Sequence, residues 1–253
     1  MASTTSAECP HCGRWLKRNE LELNGKMVFA GFEPCQCEGA RRERAKALAE
    51  EERKRREEEE AARQRAYARA GLKPRFLLPL PDELAPMADR IVAALKEGGA
   101  EGRGAYLCGT VGTGKTHIAT EVGRRMVDAR WGVLMTSSDE IITKAADTWG
   151  GPGTEESVFA RLSRCDLLII DELGKEQGRD WSISRLFRVV NDRYENMRPV
   201  VVTTQYPRKR DLIARLARSG EEETAVAIVS RLTQMCVSVP TAGEDRRIRH
   251  GER

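Results

Sequence analysis

Residues 71–253 predict an α/β fold, a parallel sheet with helices on both faces, and three observations carry that reading. Short apolar runs bounded by turn residues alternate with longer amphipathic segments. One run, Ala105-Tyr106-Leu107-Cys108, leads into Gly109-Thr110-Val111-Gly112-Thr113-Gly114-Lys115-Thr116, after which His117-Ile118-Ala119-Thr120 reads as a helix start. Another, Asp166-Leu167-Leu168-Ile169-Ile170, ends in the carboxylates Asp171 and Glu172, the pattern of a buried parallel strand whose C-terminal end opens into a ligand crevice.

At the amino terminus, Cys9-Pro10-His11-Cys12 and Cys35-Gln36-Cys37 form a Cys-x-x-Cys and a Cys-x-Cys pair. Four thiolates meeting through two tight turns make a tetrahedral zinc site, and a segment this short has no other obvious way to stay folded. A redox pair or disulfides are the competing readings, which a cytoplasmic chain disfavours. His11 lies inside the first turn and reads as a non-ligand. Between the pairs, Glu20 to Phe29 has strand character, with Asn24-Gly25 as its hairpin turn. Residues 1–39 are therefore expected to form a zinc-binding module.

Residues 40–70 are Ala, Glu and Arg almost throughout. Pairs such as Glu50/Lys54, Glu51/Arg55, Glu52/Arg56 and Glu59/Arg63 put acid one turn before base, which supports a solvated helix. Few apolar residues recur at core spacing, so this segment is expected to be a charged helical linker outside any packed domain. Gly71 ends it, and Pro74, Pro79, Pro81 and Pro86 mark an irregular crossing into the main domain.

Within 71–253 a helix is predicted at 87–97, and strands at 105–108, 131–136, 167–170, 199–204 and 235–239. Residues 184–195 are the clearest later helix. Ligands belong at the C-terminal ends of such strands, which places Gln205 beside the γ-phosphate of a nucleotide.

The run from Gly109 to Thr116 fits the phosphate-loop pattern G-x-x-x-x-G-K-[ST] in the strand–loop–helix context that the motif requires. Backbone N–H groups curl into an anion-binding nest in front of a helix N-terminus, so main chain alone can hold a triphosphate. Lys115 would reach the β- and γ-phosphates, and the Thr116 hydroxyl would hold magnesium. Asp171 would hold the same magnesium through water, and Glu172 would polarise the attacking water. The two motifs together read as an ATP-hydrolysing site.

Composition bounds the rest. At 253 residues the chain has room for one ordinary domain and an appendage. Charged residues are 32% and aromatics 5%, and no apolar run approaches the length that spans a bilayer, so no membrane role is expected. Met1 to Glu8 lacks the regions of a secretion signal, which makes the cytoplasm the expected location. A net charge of +4 permits nucleic-acid binding without requiring it. Cys108, Cys165 and Cys236 sit singly near predicted strands and read as core.

Gly109 to His117, Asp171-Glu172-Leu173-Gly174, Thr203-Thr204-Gln205, Ser230-Arg231-Leu232 and Gly243-Glu244-Asp245-Arg246-Arg247 together resemble the DnaC/DnaI-type AAA+ helicase loaders, including phage and mobile-element versions. The resemblance spans roughly Gly71 onward, and the cysteine module looks like the zinc-binding front end of several such loaders. It implies an AAA+ phosphate-loop domain of the ASCE type, with ATP, magnesium and zinc bound. It also implies that the chain binds a replicative hexameric helicase and helps place it on single-stranded DNA. The nucleotide would contact the loop from Gly109 to His117, Asp171 and Arg247, the last a sensor-2-like arginine. Gln205 falls at the sensor-1 position, where the family usually has Asn, and Arg231 at the arginine finger.

A finger acts on a neighbouring subunit's nucleotide, which requires self-association through the ATP sites. The sequence ends soon after Arg247, which predicts little or no helical lid. Lys144, Trp149, Lys175, Arg179 and Trp181 lie where a single-strand groove combining basic and aromatic side chains could form, and none is assigned as a site. The alternative is an IstB-like transposition helper acting with a transposase on duplex DNA. The zinc module favours the loader, because such helpers resemble an all-helical front end.

Overall fold

The computed structural model describes residues 7–23, 25–147, 155–175, 182–219 and 221–246. Asn24, Trp149, Arg179, Trp181 and Arg247, and the side chain of Lys144, lie outside this description. The chain divides into two compact units, 1–62 and 63–253. Among the described residues no helix is long and apolar enough to cross a membrane.

In the first unit β1 (Arg18–Leu23) and β2 (Lys26–Phe32) pair antiparallel. Gly25, at φ +76°, is part of the turn that joins them. Both strands are largely exposed, and Trp15 keeps 66% of its surface in water. A two-stranded ribbon without a buried face is marginal on its own. The four amino-terminal cysteines come together in the same unit.

α1 (Glu38–Arg69) follows directly. Lys54 pairs with Glu50 at 2.9 Å, as the spacing predicts. Arg53 instead reaches forward to Glu57 and Arg55 to Glu59, at 3.9 and 3.8 Å. Each of these arginines has a glutamate one turn ahead, and exposed pairs of this kind differ little in energy.

The second unit runs through short 3₁₀ turns at Pro74–Phe76 and Asp82–Leu84 to α2 (Ala85–Gly98), β3 (Gly104–Cys108) and α3 (Lys115–Asp128). β4 (Val133–Ser137), α4 (Ser138–Asp147), α5 (Glu155–Arg164), β5 (Leu167–Leu173) and α6 (Ser182–Glu195) come next. β6 (Val200–Thr204), α7 (Lys209–Leu216), α8 (Glu222–Met235) and β7 (Cys236–Pro240) complete it. The five strands are parallel in the order β4-β5-β6-β3-β7. They correspond to the predicted apolar runs, with ends shifted slightly.

Strand side chains alternate between two cores, as a pleat of period two requires. Leu107, Leu167, Ile169 and Val201 pack with α2, α3 and the chain around Leu72. Leu168, Ile170, Val200 and Val202 pack with residues of α4 to α8. Leu167 to Ile170 are each 0% exposed, so every side chain of that run contributes roughly 1.5–3 kcal/mol of burial.

The end of α1 departs from the linker expectation, because its last turn belongs to this packed unit. Tyr67 and Ala70 are buried, and the Tyr67 hydroxyl donates to Asp128 Oδ1 at 2.7 Å. The Met135 N–H donates to the Ala70 carbonyl at 2.7 Å, which satisfies a backbone group on the outer edge of β4. Gly71 makes that approach possible. Its φ is +78°, and a Cβ there would stand 2.3 Å from the Met135 carbonyl oxygen.

Candidate nucleotide site

The phosphate loop leaves the C-terminal end of β3 and enters α3, whose N-terminus carries unsatisfied N–H groups and partial positive charge. Gly112 has φ +78°, and a Cβ there would meet the Asp245 carboxylate at 2.0 Å, so only glycine fits. Thr113 is buried; its hydroxyl donates to the Thr110 carbonyl at 2.9 Å and meets the Thr241 hydroxyl at 2.8 Å. That side chain therefore anchors the loop to the end of β7. Lys115 Nζ donates to the carbonyls of Gly109 and Thr110 at 2.8 and 2.6 Å, which keeps its charge over the loop.

β5 breaks its register against β6 between Ile170 and Leu173, and Asp171 and Glu172 sit in that irregularity. Glu172 adopts φ +60°, a strained value for a side-chain-bearing residue. The sheet no longer satisfies the backbone there, and two threonines of β6 do so instead. Thr203 accepts from the Glu172 N–H at 2.9 Å and donates to Asp171 Oδ1 at 2.6 Å. Thr204 donates to the Leu173 carbonyl at 2.7 Å. Thr203 and Thr204 were expected as the end of the 199–204 strand and as part of a resemblance; the apolar-run pattern carries no sign of this support.

Thr116 Oγ1 donates to the same Asp171 oxygen at 3.1 Å, so the loop and the β5 carboxylate meet at one point. Burial pushes the Asp171 carboxyl above its ordinary value, against the hydrogen bonds from Thr203 and Thr116 and the charge of Lys73. A hydroxyl and a carboxylate this close form a hard oxygen donor pair of the kind magnesium takes, and bound magnesium would neutralise phosphate charge.

Thr116, which meets Asp171, lines a cleft of about 910 Å³. Glu172, Thr203, Thr204 and Gln205 line it together with Lys115, Thr116 and His117. Phe76, Leu78, Pro79, Pro81 and Leu84 supply an apolar wall suited to a flat base. Sequence reasoning read 73–86 only as a crossing, although its alternation of prolines with Phe and Leu was a usable signal. His117 Nε2 lies 2.9 Å from the Leu78 carbonyl oxygen, and its ring lies 6.2 Å from that of Phe76. Gln205 Nε2 donates to the Tyr206 hydroxyl at 3.1 Å.

Lys175 pairs with Glu172 Oε1 at 2.6 Å, because the tight turn after β5 brings them together. Arg247 lies outside the described residues, whereas Arg246 lines the cleft. Its N–H donates to the Gly112 carbonyl at 3.1 Å, and its guanidinium bonds Glu83. Arg231 does not line the cleft; it rests on α6, donating to Asn191 Oδ1 at 2.8 Å.

Cys165 is more than a passive core residue, since its sulfur accepts from the Arg193 guanidinium at 3.3 Å. Burial pushes its thiol up, and pushes that of Cys236 to about 12.

In the first unit the sulfurs of Cys9, Cys12, Cys35 and Cys37 lie within 4.8 Å of one another. The Cys9–Cys37 and Cys12–Cys35 separations are 3.7 and 3.5 Å. Sulfurs at the corners of a zinc tetrahedron stand about 3.8 Å apart, so the group fits that ion. Hydrogen bonding from the His11 backbone, helped by that of Cys12, pulls the Cys9 thiol down to about 6. His11 itself turns away to Glu43, at 2.7 Å.

A phosphate loop after the interior strand β3 of a five-stranded parallel sheet, with a carboxylate pair on β5, across the intervening β6, is the arrangement of an AAA+ nucleotide-binding domain. The chain belongs to the family of IstB-like ATP binding proteins, whose profile matches residues 87–253. It is 32% identical over 108 residues to an insertion-sequence ATP-binding protein of Sinorhizobium fredii, covering 43% of this chain and 36% of that one. It is 31% identical over 97 residues to the replicative helicase loader DnaC of Escherichia coli, covering 38% and 40%. The matches thus span about two fifths of these relatives' own lengths. The crystal structure of DnaI superposes with a TM-score of 0.54 at 19% identity over 65% of this chain and 88% of that chain, a likeness of fold.

Proposed function

We propose that this chain is an ATP-hydrolysing loader that docks on a replicative hexameric helicase and helps place it on single-stranded DNA. The observation that carries the ATPase part is the hydrogen bond from Thr116 to Asp171, which joins the phosphate loop to the β5 carboxylate. Lys115 and the loop N–H groups would hold the phosphates, Thr116 and Asp171 magnesium, and Glu172 the attacking water, with Gln205 orienting it. Arg231 would act on the nucleotide of a second copy, and Arg246 or Arg247 on the chain's own. Lys115→Ala should abolish ATP binding, while Glu172→Gln should keep ATP and stop turnover. Turnover by Glu172→Gln at the parental rate would remove Glu172 from the role of base.

The loader part rests on the cysteine cluster and its exposed hairpin ahead of the ATPase, with zinc held by Cys9, Cys12, Cys35 and Cys37. We place the functional modules at 1–39, 40–70 and 71–253. Co-purification with a replicative helicase, with and without ATP, is the test, and loss of capture on substituting the cysteines would assign docking to the zinc module. A second reading, a transposition helper acting with a transposase on duplex DNA, is favoured by the IstB-like profile and the insertion-sequence relative. A transposase in the same pull-down would replace the loader by this helper.

A further inference from the structure

We infer that Phe187, Asn191 and Tyr194 form a cradle that presets Arg231 for a phosphate carried by a second copy of this chain; the inference rests on the trans role proposed above for Arg231. These three residues recur at i, i+4 and i+7 along α6, and Ala227, Arg231 and Gln234 recur in the same way along α8. Each set therefore lines one helical face, and contacts across the two faces show that they meet. Arg231 Nε donates to Asn191 Oδ1 at 2.8 Å, and Nη1 donates to the Ala227 carbonyl at 3.3 Å. The guanidinium carbon lies 4.9 Å from the Phe187 ring centre and 5.6 Å from that of Tyr194. The Tyr194 hydroxyl in turn donates to Gln234 Oε1 at 2.8 Å, which fixes that ring.

What is missing from the set is as informative as what it contains. Among the described residues no carboxylate pairs with Arg231, and its Nη2 has no hydrogen-bond partner. The side chain is half-buried. An arginine that served only to join two helices would use its whole fork or meet an acid. Here Nε and Nη1 are held by neutral acceptors and the plane lies against aromatic rings, so the Nη2 donors remain for an anion. A fork ordered in advance loses little further entropy when a phosphoryl oxygen arrives. Asn191, Phe187 and Tyr194 are thus positioning residues, acting through Arg231.

Mixed assemblies test this. A Lys115→Ala chain keeps Arg231 without holding ATP, and an Arg231→Ala chain holds ATP without the fork, so mixing them should restore hydrolysis that neither performs alone. Adding Asn191→Ala to the Lys115→Ala chain should cut the restored rate about tenfold or more. The same change in the Arg231→Ala chain should leave the rate within about twofold and its ATP affinity unaltered. Phe187→Leu keeps an apolar side chain between the helices and should give the same donor-only loss. Equal losses from both chains, or none from the donor, would overturn the cradle while leaving the trans role intact. A parent mixture that stays inactive would overturn both.

Discussion

Lys175 Nζ stands 2.6 Å from Glu172 Oε1, so the carboxylate proposed to activate water is held by a cation from its own turn. Both side chains reach solvent, and the pair is weak enough to open. Lys175→Ala should therefore raise steady-state ATP turnover a few-fold, roughly 2–5, with ATP affinity unchanged. Turnover that falls in parallel with affinity would mean that Lys175 contributes to nucleotide binding instead.

The double use of the Thr203 hydroxyl, accepting from Glu172 and donating to Asp171, makes it the support of the β5 irregularity. Thr203→Val keeps the shape, leaves the Glu172 N–H without a partner and frees the Asp171 carboxylate to turn. The magnesium concentration for half-maximal hydrolysis should rise about tenfold or more, as for other groups that orient a metal-holding carboxylate. A magnesium titration at saturating ATP reads it directly. An unchanged midpoint would show that Thr116 alone orients Asp171.

Arg193 is 0% exposed, and instead of a carboxylate it serves carbonyls of Leu162, Cys165, Asp166 and Pro199 at 2.8–3.2 Å. One guanidinium thereby ties together the segments that lead into β5 and β6. Arg193→Ala would strand those acceptors in the interior, and the urea midpoint should drop by the equivalent of about 3 kcal/mol or more. Arg193→Lys should not restore it, because an ammonium cannot reach both segments at once.

Burial works against the Glu121 carboxylate, but hydrogen bonds from Arg124 and then Arg125 outweigh it and hold its pKa below the ordinary 4.5. A carboxylate lowered on folding stabilises the native state above its unfolded value, and the contribution is lost as pH falls through the folded value. Glu121→Gln should therefore lower the melting temperature near neutral pH and flatten its decline on acidification below about 4.5. Parallel melting curves for parent and variant across that range would assign the acid sensitivity to other groups.

The sequence made the phosphate loop, the Asp171–Glu172 pair, the five strands and the cysteine cluster readable, because each is written in consecutive residues or in a short repeating period. The Gly112 turn, the Leu167–Ile170 run and the Cys-x-x-Cys spacing need no partner from elsewhere to be recognised. The turn that folds Lys175 back on Glu172 was not readable, because it depends on Gly174 at φ +93°, a local shape that composition does not announce.

Only the tertiary structure decided that the last turn of α1 packs beside β4, that residues 76–84 wall the nucleotide cleft, that Thr203 supports the Asp171 carboxylate and the Glu172 backbone, and which side chains surround Arg231. Each of these joins segments far apart in the chain. A strand or helix period records which face of an element is buried, and it is silent on the side chain that arrives from another element to meet that face.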